Sequence, residues 1–569
     1  MKTAILASAA AWFVSTAALA QPAHDMSKMS GPMSMGLPPM PSVYNGQADK
    51  PGAPVFTGLG PHHVAIGTAN PETQRFFDQG VKLMFGFNHA EAIRSFREAA
   101  RLDPQCAMCW WGVAAALGPN INMPMPDDAV APAWAALQKA KALAPGAPPR
   151  DQAWIAALSA RYAADRKADR AALNAAYADA MGRLWREHPD DLEAAVFYAE
   201  AMMDTQPWDY WEADGATPKG RGGEIVRTLE TVLTRAPNHP GALHLYIHAV
   251  EASTTPERAE PAADRLITLM PQAGHIVHMP SHIYYRVGRY ADAARANEIA
   301  AKVDEDYIAA CRAQGFYPAG YYGHNIHFLW TSAEMEGRYQ AALDAARRLV
   351  KAVDAQETAK RLSVAELYVF TPVLTLLRFG KHREVLAEPA PDKALTLDMA
   401  MWLYAQAFAH ANTGDLVAAQ TDRKKLAALS KANFARFAPF GVPAAQMTQV
   451  ALASVDGEIA RVSGDLPAAI LHFQKAAELE RQLPYTEPAY WHRPVSHLLG
   501  AVMMQANRPA DAEAVYLDSL RHYRADGWAL FGLVQALQAQ GKTPEANQAM
   551  NRFMEAWRRS DTRIAGSRL

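Results

Sequence analysis

Seven histidines on three successive predicted helices, between His244 and Glu334, are the residues of this sequence best equipped for chemistry. The first set is His244 and His248 with Glu251, the second His275, His278 and His282, and the third His324 and His327 with Glu334 a few turns on. Offsets of three, four and seven residues place each set on one side of its helix. Imidazoles a turn apart can meet at one cation, and neutral imidazole serves zinc, copper, iron and nickel alike. The spacing predicts a metal site without naming the metal.

Glu200 and Asp204, on the helix before these three, could add oxygen ligands. Together the imidazoles and carboxylates exceed the four ligands of one tetrahedral zinc, which suggests either two metals or one metal with an outer layer of histidine and carboxylate partners. No cysteine belongs to the set, which argues against a closed thiolate site. Mixed nitrogen and oxygen donors suit a centre that activates water or dioxygen. Motifs for other chemistry are missing: there is no Gly-x-Ser-x-Gly, no phosphate-binding glycine loop and no His-Glu-x-x-His.

The elements that must position these residues are helices. From about Pro71 onward, amphipathic segments follow one another in pairs, separated by short Gly, Asp or Pro breaks, with hardly any alternating strand pattern. Arg289-Tyr-Ala-Asp-Ala-Ala294 follows Gly288, and Arg338-Tyr-Gln-Ala-Ala-Leu343 follows Gly337. Asn88 to Pro104 supplies a second half of the same unit, and further copies start at Gly414-Asp415, Gly464-Asp465 and Pro509. These segments resemble the tetratricopeptide repeat, a helix–turn–helix unit of 34 residues. Pro237 and Pro271 lie one such period apart, and each is expected to close a second helix.

The resemblance implies an all-α, tetratricopeptide-like α–α solenoid of roughly ten to twelve helix pairs over residues 66–569. It also implies that the first helix of each pair lines a concave groove. Counted from the prolines, His275, His278, His282, His324, His327, His244, His248, Glu251, Glu334, Glu200 and Asp204 all fall on groove-facing places. The smaller downstream cluster, Glu487 to His492 with His497, lies several repeats away and is left out of the expected site.

Charge is nearly balanced, 56 Lys and Arg against 58 Asp and Glu, so no basic footprint for nucleic acid is present. Lys2, the apolar run from Ala4 and Ala18-Leu19-Ala20 read as a signal peptide over residues 1–20, which predicts a periplasmic or secreted product. No later apolar run is long enough to span a bilayer. Residues 21–65 carry Met26, Met29, Met33, Met35 and Met40 among Gly, Pro and Ser, and read as a disordered leader, either a thioether trap for Cu(I) or a Met-biased linker. Cys106-Ala-Met-Cys109 is followed by Trp110 rather than His, which counts against haem attachment and leaves a local disulfide or a surface copper or redox pair. Cys311 is unpaired by this count.

The expected function is binding of one or two transition-metal ions, copper favoured and zinc or iron also suited, in the groove of an exported repeat protein. The sequence leaves open whether the centre is an oxidoreductase or a hydrolase, or no enzyme at all, and which small molecule or peptide enters the groove. The competing expectation is a periplasmic scaffold for a partner protein or peptide.

Overall fold

A computed structural model of the chain describes residues 42–44, 47–311 and 317–569. The expected signal peptide over residues 1–20 and the methionines of the expected leader lie outside the described residues. The fold is all-α, a tetratricopeptide-like α–α solenoid built of consecutive helix pairs, and the described residues contain two isolated β-bridges and no strand. None of the described helices is long and apolar enough to cross a membrane.

Local sequence sets the helix ends. Asn70 caps the helix Pro71–Phe85 by accepting from the backbone N–H groups of Glu72 and Thr73, with Pro71 in the first turn where its missing N–H costs nothing. Asp415 and Asp465 do the same for Leu416–Leu429 and Leu466–Arg481. The residues before them, Gly414 and Gly464, take φ of 90° and 84°, a left-handed turn that glycine enters without a Cβ clash. Helices Gly222–Arg235 and Glu260–Leu269 stop just short of Pro237 and Pro271, so each proline closes a helix as the sequence predicts.

The chain divides into two compact units. Unit 1 comprises the described residues up to 249 together with 308–311; unit 2 comprises 250–307 and 317–569. In unit 1, Pro71–Phe85 pairs with His89–Leu102 and Arg170–Glu187 with Leu192–Thr205. In unit 2, Gly323–Met335 pairs with Tyr339–Ala352, Thr396–Asn412 with Leu416–Leu429, and Ala444–Val462 with Leu466–Arg481.

Two details differ from the sequence expectation. The leader was expected to stay unpacked as far as residue 65, yet from Lys50 its carbonyls are held by helix side chains. Gln79 Nε2 donates to the Pro54 carbonyl at 2.9 Å, Lys82 Nζ to Gly60 at 3.1 Å and Arg94 Nη2 to Gly52 at 2.5 Å. These hydrogen bonds, with burial of Ala48, Leu59 and Val64, fix the stretch, and the packed chain begins before residue 66. The Cys106–Cys109 pair is a disulfide whose two sulfur-bearing side chains are buried, which removes the surface copper pair. Cys311 is a buried free thiol.

Candidate metal centre

In unit 2 the second histidine set sits on a helix interrupted by proline. Gly274–His278 and Pro280–Arg286 follow directly on each other, and Pro280 removes one backbone donor at the junction. His278 and His282 flank this break four residues apart, and their Nε2 atoms face each other at 2.8 Å. His324, in the first turn of Gly323–Met335, brings its ring within 4.8 Å of His278 and 5.7 Å of His282, centroid to centroid. A π-helical turn, Pro318–Tyr322, leads into that helix; such turns are rare and often stand at functional sites. Phe328 packs against all three rings, at 4.9–5.7 Å. His278 and His282 are buried, and His324 is the accessible member.

The partners behind the rings fix the tautomers. Asn297 Nδ2 donates to the Ala293 carbonyl at 2.9 Å, which turns its Oδ1 toward His278 Nδ1 at 2.6 Å. His278 must therefore carry its proton on Nδ1, leaving Nε2 with a lone pair. His282 Nδ1 pairs with Glu251, and Glu487 stands 3.4 Å from the same nitrogen. That arrangement also puts a proton on Nδ1. Two imidazole lone pairs cannot face each other at 2.8 Å without a cation between them, either a proton or a metal. At 2.8 Å the contact has the length of a hydrogen bond carried by a shared proton, and His278, His282 and His324 would be the residues to hold a metal in its place. Burial alone would lower the His282 pKa, but Glu251 and Glu487 outweigh it and hold it up at about 10. Burial and the adjacent Glu251 in turn raise Glu487. The pocket is therefore one that draws positive charge.

Unit 1 holds the first histidine set. His244 Nδ1 donates to the Phe85 carbonyl at 2.7 Å, which leaves the lone pair on Nε2. The His248 ring lies 4.9 Å away. Phe87 sits 4.7 Å from His244, and Trp208 meets His248 edge-on at 4.8 Å. Both aromatics adopt left-handed backbone, φ 57° and 65°, a conformation that costs bulky residues about 1–3 kcal/mol and persists only where packing enforces it. A second group in unit 1, His62, Glu193 and His239, has the composition of a metal site as well. Its protons point the other way. His239 Nδ1 accepts the Ala242 N–H at 3.2 Å, capping Pro240–Val250, so its Nε2 donates to Glu193 at 3.0 Å. His62 Nε2 approaches the same oxygen at 2.9 Å.

Several expected ligands are placed elsewhere. His327 is three residues from His324, and a 60° difference in direction turns it onto Trp330, stacked at 5.1 Å, with Tyr368 at 5.3 Å. Burial there lowers its pKa to about 3. His275 stacks on His278 at 5.7 Å, lies 4.9 Å from Tyr321, and stays a candidate ligand as a member of a histidine group with metal-ligand spacing. Asp204 is paired with Arg161 in the interior of unit 1, and burial together with the Asp204 charge pushes Glu200 up. Among the described residues neither carboxylate joins a histidine group. Glu334 is buried against Arg378 at 3.4 Å, away from the imidazoles. Glu251 is close to the centre, but as the proton acceptor behind His282. Glu487, excluded on sequence distance, is present because the loop 482–495 folds back to His282. His497 stays out, as expected, with its Nε2 2.5 Å from Asp526. The only sequence signal for Glu487 was its place in a cluster with His492 and His497.

No family model matches the chain, and no curated protein is similar to it. Solved structures of similar helical architecture include the Cut9–Hcn1 hetero-tetramer of the APC/C, at 13% identity over 87% of this chain and 75% of that one, TM-score 0.29. Human IFIT1 as a dimer with m7Gppp-AAAA matches at 12% identity over 86% and 90%, TM-score 0.29. Likeness at this level says nothing about ligand or activity.

Proposed function

We propose that this chain is an exported helical-repeat protein that binds a transition metal in unit 2 through His278, His282 and His324. The observation that carries the reading is the 2.8 Å approach of two Nε2 atoms whose Nδ1 protons are already taken by Asn297 and Glu251. Hydrogen-bonded outer partners of this kind set ligand tautomer and basicity in metal sites. Imidazole ligands suit copper, iron and zinc alike, and the soft methionines of the leader favour copper. Bound there, the metal would supply a Lewis-acidic or redox-active position on the accessible His324 side. The residues around it hold the imidazole protons and, through Phe328, keep water from the buried side. His244 and His248 in unit 1 and His275 in unit 2 remain candidate ligands. Export rests on the N-terminal sequence.

The test is metal analysis of full-length protein purified without a histidine tag. Stoichiometric metal that falls in His278→Ala supports the centre. Equal metal, or none, in both proteins would mean that the two nitrogens share a proton, and would leave a helical scaffold for a partner peptide.

A further inference from the structure

Buried charge in unit 2 does not balance. Glu458 is met by Arg461 at 2.8 Å and by Arg568 at 2.6 Å. Arg378, 2% exposed, reaches its one carboxylate, Glu334, only at 3.4 Å and donates from the same Nη1 to the His492 carbonyl at 2.8 Å. Arg493 is 4% exposed and acts on Glu334 only at long range, with no close ion pair among the described residues. It donates to the Tyr404 hydroxyl at 3.3 Å and lies over the Phe408 ring at 5.3 Å. A guanidinium keeps its proton in any protein environment, and an unpaired buried charge costs several kcal/mol.

Around Arg378 and Arg493 the unmet groups are mostly donors, with Glu334 Oε1 the unmet acceptor beside them. Nε of Arg378, Nε of Arg493 and Nδ1 of His492 are all buried without an acceptor. Tyr404 already accepts from Arg493, so its O–H is directed at His492 Nε2, 3.4 Å away, which puts the His492 proton on Nδ1. Burial and the two guanidiniums keep His492 neutral by holding its pKa well below the ordinary value, so it cannot repel them. Three buried donors therefore lack an acceptor. Arg378 is bonded to the carbonyl of the residue that precedes Arg493, and the charges of both arginines act on His492 and Glu334. A water could accept from one donor, but it would leave the charge uncompensated.

We infer that Arg378, Arg493 and His492 form the receptor for a small oxyanion, a carboxylate or phosphate group, bound inside unit 2. Planar guanidinium forks match the paired oxygens of such groups. The loop 482–495 carries Arg493 and also sets Glu487 beside His282. The two sites thus share a loop, but the anion site does not depend on the metal.

The experiment is the melting temperature and calorimetric titration of the full chain with sodium phosphate or sodium acetate, against sodium chloride at equal ionic strength. It is run on protein freed of metal by chelation and dialysis, and again on metal-supplemented protein. One oxyanion should raise the melting temperature where chloride does not, and the responding arm identifies the group. Arg493→Met should weaken that binding by at least about tenfold, the loss expected for a charge-assisted hydrogen bond. Arg493→Lys, which keeps the charge and loses the fork, should also bind more weakly; it serves if the methionine variant fails to fold. No oxyanion response in wild type, or an unchanged response in either folded variant, overturns the inference. An oxyanion response in protein that takes up no metal upholds this site and sinks the metal reading.

Discussion

The His62–Glu193–His239 group of unit 1 and the His278–His282–His324 group of unit 2 use nearly the same residue types and direct their protons in opposite ways. In unit 1 one carboxylate oxygen collects both imidazole Nε2 atoms, and His239 spends its other nitrogen capping a helix. Here the imidazoles face a carboxylate rather than each other, although His62 Nε2 and Glu193 Oε2 lack a well-aligned hydrogen bond. In unit 2 the acceptors stand behind the rings, at Asn297 and Glu251, and the two Nε2 atoms meet in front, where a proton or a metal must lie between them. Counting ligand-type residues does not separate the two groups. The position of the outer acceptor does, because it decides which nitrogen is bare.

The largest expected effect breaks the comparison outright. His282→Ala should lower metal affinity by more than about 100-fold, beyond the 10- to 100-fold loss typical of outer partners. It should also abolish the rise in melting temperature that bound metal gives. His239→Ala should leave metal content unchanged and cost about 1–2 kcal/mol of stability through the lost cap and the lost Glu193 bond. Metal analysis and urea unfolding of both variants measure this. A drop in metal for His239→Ala would erase the distinction between the groups.

Acid should separate the groups next. Burial works to raise the Glu193 pKa, and the hydrogen bonds from His239 and His62 outweigh it, leaving the carboxyl at about 2. A folded-state value below the unfolded 4.5 contributes stability that is present above pH 4.5 and is lost as pH falls toward 2. The upper bound is on the order of 3 kcal/mol. The stability difference between wild type and Glu193→Gln should therefore be level from pH 8 to 5 and shrink below 4.5. A difference that grows on acidification would contradict the hydrogen-bond assignment.

What the sequence disclosed follows from the range of each signal. Local signals were legible: Pro237 and Pro271 mark helix ends, Gly414-Asp415 and Gly464-Asp465 mark turns, and a four-residue offset put His278 against His282. Signals that depend on a distant partner were not. Asp204 looks like a free groove carboxylate until Arg161, 43 residues upstream, is seen to occupy it. Glu487 reaches His282 across a chain separation that no helical period encodes. Residues 50–60 look unpackable by composition because most of their anchoring uses backbone carbonyls, with only Leu59 and Ala53 packed as apolar contacts. Within a helix, the three-residue offset from His324 to His327 was read as one face, although 60° is enough to turn one ring to the cluster and the other to the core.

A smaller effect sharpens the account of unit 2. Asn297→Leu removes the acceptor that fixes the His278 tautomer while keeping the volume. Metal affinity should fall by about 10- to 100-fold, the usual loss for an outer partner. Isothermal titration with Cu(II) or Fe(II) reads the change. Unaltered affinity would show that the His278 tautomer is not set from behind.

The smallest effect is expected at His327, and it tests whether burial alone explains that residue. Its ring is stacked on Trp330 with an interplanar angle of 4° and meets Tyr368 edge-on, and burial keeps it neutral. A neutral aromatic ring in an aromatic slot contributes mainly area and ring packing, worth about 0.5–1.5 kcal/mol beyond the area for a good pair. Phenylalanine can supply both. His327→Phe should therefore change stability by less than about 1.5 kcal/mol, as volume-conserving core swaps do, and leave metal content untouched. His324→Phe, one turn earlier on the same helix, should remove the accessible imidazole and reduce metal binding. Chemical denaturation and metal analysis of the two variants side by side give the answer. Equal metal loss in both would mean that His327 turns toward the centre when metal binds, and would restore the single face read from the sequence.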